Sequence, residues 1–168
     1  AVAGKNVRIT DVNQFDAAKA GLDSDKHTFI AKWPGTLGNS LKISVCPQAS
    51  SASVFTGWTY ANNFDAAPGT SNFAEGLNAT NDELHVAVVD EDGAFTGTRG
   101  TVLETFPFVS VAKNAKTSDG STNFVKDVIN RTSNYIWCGG FDSDYSVALA
   151  GQDAVSSRDF QKSSSAQV

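Results

Sequence analysis

Residues Asp82 to Phe106 read D-E-L-H-V-A-V-V-D-E-D-G-A-F-T-G-T-R-G-T-V-L-E-T-F. Leu84 to Val89 is nearly all apolar and rich in β-branched residues, the pattern of a strand with little solvent on either face. Asp90-Glu91-Asp92-Gly93 interrupts it and places Asp-Gly where a chain reversal needs φ > 0. Gly93, Gly97 and Gly100 predict an open, mobile connection. Thr101 to Phe106 then reads as a second strand, with Val102, Glu104 and Phe106 on one face and Leu103 on the other. An antiparallel pair joined by a long, acidic, glycine-rich loop follows.

Outward from this pair, the chain has the composition of a loop-rich β protein. Its 168 residues suffice for one ordinary core. Only 18% of them are charged, and Ser, Thr, Asn, Gly and Ala fill the difference. A net charge of -5 with 13 basic residues, none in a run, argues against a nucleic-acid surface. No apolar run approaches the roughly 20 residues that span a bilayer. The chain starts Ala-Val-Ala-Gly and lacks Met, which reads as a processed chain or an excised fragment, and no signal peptide is visible. Cys46 and Cys138 each follow a β-like run and are expected to be buried free thiols.

Val7 to Ile9 is a short strand candidate. Asn13 is placed to cap a helix with Phe15, Ala18 and Leu22 on its apolar stripe and Gly21 at its end. His27 to Trp33 is extended, with Phe29 and Ala31 facing one way and Ile30 the other. Pro34-Gly35 and Gly38-Asn39 mark turns. If both glycines hold unusual φ, Gly35→Val and Gly38→Val each cost roughly 1–3 kcal/mol. Leu41 to Cys46 alternates strictly, which predicts a half-buried strand with Leu41, Ile43 and Val45 inward and Lys42 and Ser44 outward. Pro47 to Asn81 is poorly patterned: Val54 to Tyr60 reads as a kinked strand, and Asn62 to Asn72 as a surface loop. Pro107 suits a sheet edge or a break. Ser121 is placed to cap a helix carrying Phe124, Val125, Val128 and Ile129, and Tyr135 to Cys138 is a strand. Ser156 to Val168 reads as a tether or a cut end. The fold class is therefore α+β, mainly antiparallel β in a sandwich-like arrangement, with two or more short helices.

The search for chemistry is mostly negative. His27 and His85, the two histidines, both lie in strand-like runs, and no nucleophile-elbow pattern accompanies them. They read as sheet histidines. Asp90, Glu91 and Asp92 could recruit a cation, but the EF-hand spacing fails, and a solvated turn is the plainer reading. Gly35, Gly38 and Asn39 lack the Gly-Lys-Ser/Thr of a phosphate loop and lead into a strand. Asn78-Ala79-Thr80 and Asn130-Arg131-Thr132 match a glycosylation sequon and read as chance. Trp33, Trp58 and Trp137 could line a sugar groove, although core packing is the commoner use of Trp. No catalytic, cofactor-binding or metal-ligating residue is assigned.

Three segments together carry a resemblance. They are F-I-A-K-W-P-G-T-L-G-N-S-L-K-I-S-V (Phe29 to Val45), V-V-D-E-D-G-A-F-T-G-T-R-G-T-V-L-E-T-F (Val88 to Phe106) and D-V-I-N-R-T-S-N-Y-I-W (Asp127 to Trp137). In this order they resemble the tail sheath protein of contractile-tailed bacteriophages, of the large, cyanophage-like kind. The aromatic-Pro-Gly-x-x-Gly-Asn turn before an alternating strand is the most diagnostic part. The resemblance covers most of Val7 to Trp137 and is weak over Pro47 to Asn81.

It implies a virion structural protein and no enzyme or cofactor. Sheath subunits of this family stack as hexameric rings around the tail tube, with neighbouring subunits and the tube protein as partners. Contraction drives the tube into the host cell for genome ejection, and assembly takes place in the host cytoplasm. Neither nucleic acid nor membrane is an implied partner. Family members are several times longer, with strand-adding terminal extensions and a C-terminal α/β core that this chain lacks. Residues 1–141 are thus expected to be one middle, β-rich sheath domain, and 142–168 a linker or truncated C-terminal segment. The competing readings are a ligand- or carbohydrate-binding β-sandwich module and, third, an enzyme dependent on His27 or His85.

Overall fold

The β-branched run around Val86–Val89 lies at the centre of a four-stranded antiparallel sheet. The computed structural model describes residues 9, 11–18, 29–47, 53–139 and 158–160. The sheet contains β2 (Leu41–Pro47), β3 (Glu83–Asp90), β4 (Thr101–Ser110) and β6 (Arg158–Phe160), in the order β4-β3-β2-β6. β2 pairs with β3 from Leu41↔Asp90 to Pro47↔Leu84. A smaller sheet joins β1 (Phe29–Ala31) to β5 (Ile136–Cys138). Five short helices accompany them among the described residues: α1 (Val12–Ala18), α2 (Thr36–Asn39), α3 (Ser53–Thr56), α4 (Asn72–Glu75) and α5 (Val125–Thr132). The class is α+β, as the sequence pattern indicates.

One face of the large sheet carries Leu41, Ile43, Val45, Leu84, Val86 and Val88. Val125 and Ile129 of α5, with Ile136 and Cys138 of β5, close over it. Full burial of one such aliphatic side chain contributes about 1.5–3 kcal/mol, so this layer holds much of the hydrophobic stabilisation. Phe29 and Ala31 join this core while Ile30 faces the other way, as the alternation predicts. On that outer side α1 lies against β5, with the Phe15 and Trp137 rings stacked at 5.0 Å. Asp11, rather than Asn13, caps α1: its Oδ1 accepts the Gln14 N–H at 2.9 Å. The Gly21 and Leu22 ends of that predicted helix lie outside the described residues, as do Val7 and Arg8.

The opposite face departs from expectation. Ser44 is not outward; it is fully buried, and its Oγ accepts the Trp58 Nε1–H at 2.8 Å. Residues 54–64 do not form a strand and surface loop but a run of short helical turns laid over Cys46, Ala87 and Val89. Trp58, Tyr60, Phe55 and Phe64 supply the cover. Irregular backbone closes its own hydrogen bonds locally here, as in Trp58 N–H to Phe55 O and Ala61 N–H to Trp58 O, both 3.0 Å. Aromatic area, not periodicity, keeps the segment in place.

Two register shifts alter β4. Val88 faces Glu104 and Val89 faces Val102, so Leu103 is extra and the side-chain alternation reverses across it. Val102 consequently packs with the Trp58 layer and Phe106 with the α5 layer, not on one face as the sequence suggests. The second shift sets Pro107 and Phe108 opposite His85, with Phe108 at φ 50. β4 runs through Pro107 without a break because it is an edge strand.

Other boundaries also shift. Gly38-Asn39 belongs to the single helical turn α2, not to a separate reversal. Of Gly35 and Gly38, Gly35 alone has positive φ, at 70; a Cβ on Gly38 would instead meet the Trp33 carbonyl oxygen at 2.1 Å. α5 starts at Val125, and Ser121 does not cap it. The segment expected to be a tether returns β6, which pairs Ile43↔Phe160 to Val45↔Arg158 on β2.

Candidate functional site

Each carboxylate of the acidic loop already has a partner. Asp90 is buried, not solvated. Its Oδ1 accepts from Ser40 Oγ at 2.6 Å, and its Oδ2 from the Phe95 and Thr96 amides at 3.0 and 2.8 Å and from Thr96 Oγ1 at 2.9 Å. Ser40 Oγ in turn accepts the Asp92 and Ala94 amides at 3.1 and 3.2 Å. Burial pushes the Asp90 carboxyl up, but the bonds from Ser40, Thr96 and Phe95 outweigh it and hold its pKa below the ordinary value. The loop is therefore tied down rather than open and mobile.

Glu91 pairs with Lys42 at 2.7 Å and Asp92 with Arg99 at 3.2 Å. Such partly exposed pairs contribute about 0–1 kcal/mol each, whereas one buried donor left unsatisfied costs about 1–3 kcal/mol. Asp90, not the ion pairs, sets the loop. Burial draws the Lys42 ammonium down, yet its bonds to Glu91 and Tyr60 leave its pKa raised. Among the described residues no cluster of His, Cys, Asp and Glu could hold a metal ion.

The histidines divide. His27 lies outside the described residues. His85 is fully buried, its ring stacked on Phe64 at 4.4 Å and edge-on to Phe108 at 4.6 Å. It accepts the Phe108 N–H at Nδ1 (3.0 Å) and meets the Ala66 carbonyl at Nε2 (2.8 Å), so both ring nitrogens are occupied within the fold. Neither Cys46 nor Cys138 is in a disulfide; both are buried, on opposite sides of the large sheet, and burial pushes the Cys46 thiol up to about 11.

Trp58 and Trp137 are core residues; Trp33 alone of the three is exposed, resting edge-on against Phe95 at 6.2 Å. The Asn130 side chain is engaged in the fold: its amide bonds both the carbonyl and the N–H of Cys138, at 3.0 and 2.7 Å. Asn78 is an exposed αL residue beside α4.

Sequence reasoning missed several polar clamps. Asp82 accepts from the Ser71 N–H at 2.8 Å and from the Ser71 and Ser110 hydroxyls at 2.7 and 2.5 Å, tying α4 to β3 and β4. Glu104 accepts from Ser133 Oγ and the Asn134 N–H, both at 2.7 Å, tying β4 to the end of α5. The charge at Glu104 inside a strand was the visible signal; its partner, 29 residues on, was not. An open groove of about 540 Å³ lies between Ser71–Phe73, Phe108 and Lys116–Ser118, with Glu83 and Lys116 as its ionisable groups. Burial raises the Glu83 carboxyl, partly offset by the Gly69 amide. The described polar groups are joined mainly to one another, which suits a rigid block. No helix among the described residues is long and apolar enough to cross a membrane.

No family model matches the chain. It is similar to the tail sheath protein of Salmonella phage ViI, with 35% identity over 94 residues. The match covers 56% of this chain and 12% of that relative's length.

Proposed function

We propose that this chain is one domain of a contractile tail sheath subunit in a bacteriophage virion, with a structural and not an enzymatic role. The observation that carries the reading is the 35% identity over 94 residues with a tail sheath protein. The ordered motifs described above support it. So does the internal use of Asp90, His85 and Glu104, whose polar atoms brace loops and strands.

In this reading residues 1–141 are the body of the domain, and 142–168 continue from it while contributing β6. The subunit polymerises around the tail tube in hexameric rings, with neighbouring subunits and the tube protein as partners. Contraction drives the tube into the host, and assembly takes place in the host cytoplasm. The energy of contraction is stored in subunit contacts, which require domains that keep their shape. The carbohydrate-binding alternative loses Trp58 and Trp137 to the core.

Electron microscopy of the parent particle tests the proposal. Density for this domain is expected in the helical layer around the tube, in both extended and contracted tails. A layer without the domain, or a full-length parent that stays monomeric and turns over a substrate, overturns it.

A further inference from the structure

His85 joins three elements. Its own strand is β3, its cover is the segment carrying Phe55, Trp58, Phe64 and Ala66, and its third contact is Phe108 in the β4 bulge. A carbonyl only accepts and an amide only donates, so the Ala66 and Phe108 bonds require the neutral Nε2–H tautomer. A second proton would point N–H at N–H and leave Phe108, at φ 50, without the acceptor that holds it there.

The ionisable groups on the surrounding elements offer the ring no hydrogen-bonding counter-charge. Cys46 is the β2 residue directly opposite, and Lys42 further along β2 pairs with Glu91. On β3, Glu83 accepts the Gly69 N–H, Asp82 binds Ser71 and Ser110, and Asp90 is held by the loop. On β4, Glu104 binds Ser133 and Asn134, while Lys116, across the groove from Phe108, donates to the Gly120 carbonyl. The covering segment carries Tyr60 and Asp65. Stacking on Phe64 would return some cation–π attraction to an imidazolium, and the Leu84 backbone some hydrogen bonding, but neither carries a counter-charge.

We propose that His85 is a proton-operated latch: neutral, it fastens the aromatic cover and the β4 bulge to the sheet; protonated, it lets both go. The device is independent of the sheath role proposed above. Burial lowers the His85 pKa below 6.5, with hydrogen bonding to the Ala66 and Leu84 backbones opposing. The latch is thus fully held above that value, and its hold is lost as pH falls through the native pKa. Between the two, the open fraction rises about tenfold per pH unit.

Hydrogen exchange with ring ¹⁵N NMR on the 168-residue chain tests this. Protection factors at Phe108 and, in the cover, at Phe64, whose N–H bonds the Ala61 carbonyl, are expected to fall about tenfold per unit below about pH 6.5, more steeply than at Val88 in mid-strand. The His85 ring should pass from the Nε2–H tautomer to imidazolium over the same range. In His85→Gln, whose amide can both accept and donate without titrating, protection should stay level. Three results overturn the proposal: flat protection in the unaltered chain, an equal fall in H85Q, or an Nδ1–H tautomer. Should H85Q fail to fold, the unaltered chain decides alone, because protection lost while the ring stays neutral also overturns it.

Discussion

The two faces of the large sheet are covered by different means. Toward α5 the partners are elements with visible periodicity: an apolar helix stripe and alternating strands meet as patterned surfaces. Toward Trp58 the partner is an irregular segment whose aromatic side chains lie on Cys46, Ala87 and Val89. The difference teaches that an alternating strand reports which residues share a face, not whether that face meets water. Lys42 and Ser44 alternate with apolar neighbours on β2. Ser44 is nonetheless fully buried, and Lys42 reaches the margin to pair with Glu91.

If the layers are independent, their largest truncations should add. Trp58→Ala removes the central ring of one layer and its bond to Ser44 Oγ; a loss of about 3–5 kcal/mol is expected in denaturant unfolding. Ile129→Ala in the other layer should cost about 2–4 kcal/mol. The double variant should match the sum within about 0.5 kcal/mol. Coupling well beyond that would break the comparison and make the sheet a single cooperative core.

The turn before β2 sharpens it next. Gly38→Val drives side-chain atoms into the Trp33 carbonyl and Ala31, beside the α5 layer, and should cost about 3 kcal/mol or more. Gly35→Val meets open space and only backbone strain, so about 1–2 kcal/mol is expected. Equal melting temperatures for the two would show that the clash relaxes away.

Asp90→Asn weakens the loop at the end of both layers. A cost of about 1–2 kcal/mol is expected, because the amide cannot accept every bond the carboxylate does. The native Asp90 pKa lies below 3.8, so its stabilisation is complete above that pH and is lost as pH falls through the native value. Acid titration of stability should therefore be shallower in D90N, and identical curves would remove Asp90 from this role.

The smallest effect needs no substitution. Cys46 and Cys138 lie in opposite layers, both buried. In mild denaturant a thiol reagent should reach Cys46 first, if the irregular cover opens before α5 does. Cys138 reacting first would reverse the assignment of the weaker layer.

Much of the fold was legible. β1, β2, β3 and β5, the helix near Val125 and the reversal at Gly93 all follow from local pattern, because backbone preference and side-chain period act within a few residues. The reading failed where a distant partner decided. Leu103 became a bulge against Val88–Val89, and residues 54–64 became a cover. Of the candidate groups, the sheet-histidine reading of His85 agrees with its surroundings, whereas the solvated turn at Asp90 gave way to a buried carboxylate with four donors.

The amino-acid order alone determined where β1, β2, β3 and β5 run, the reversal at Gly93, and which side chains share a face where no bulge intervenes. Tertiary structure alone decided which faces meet, which polar groups are shut from water and which partners they find. The physical reason is range: φ/ψ preference and alternation are properties of neighbouring residues, while desolvation depends on contacts between segments far apart in the chain.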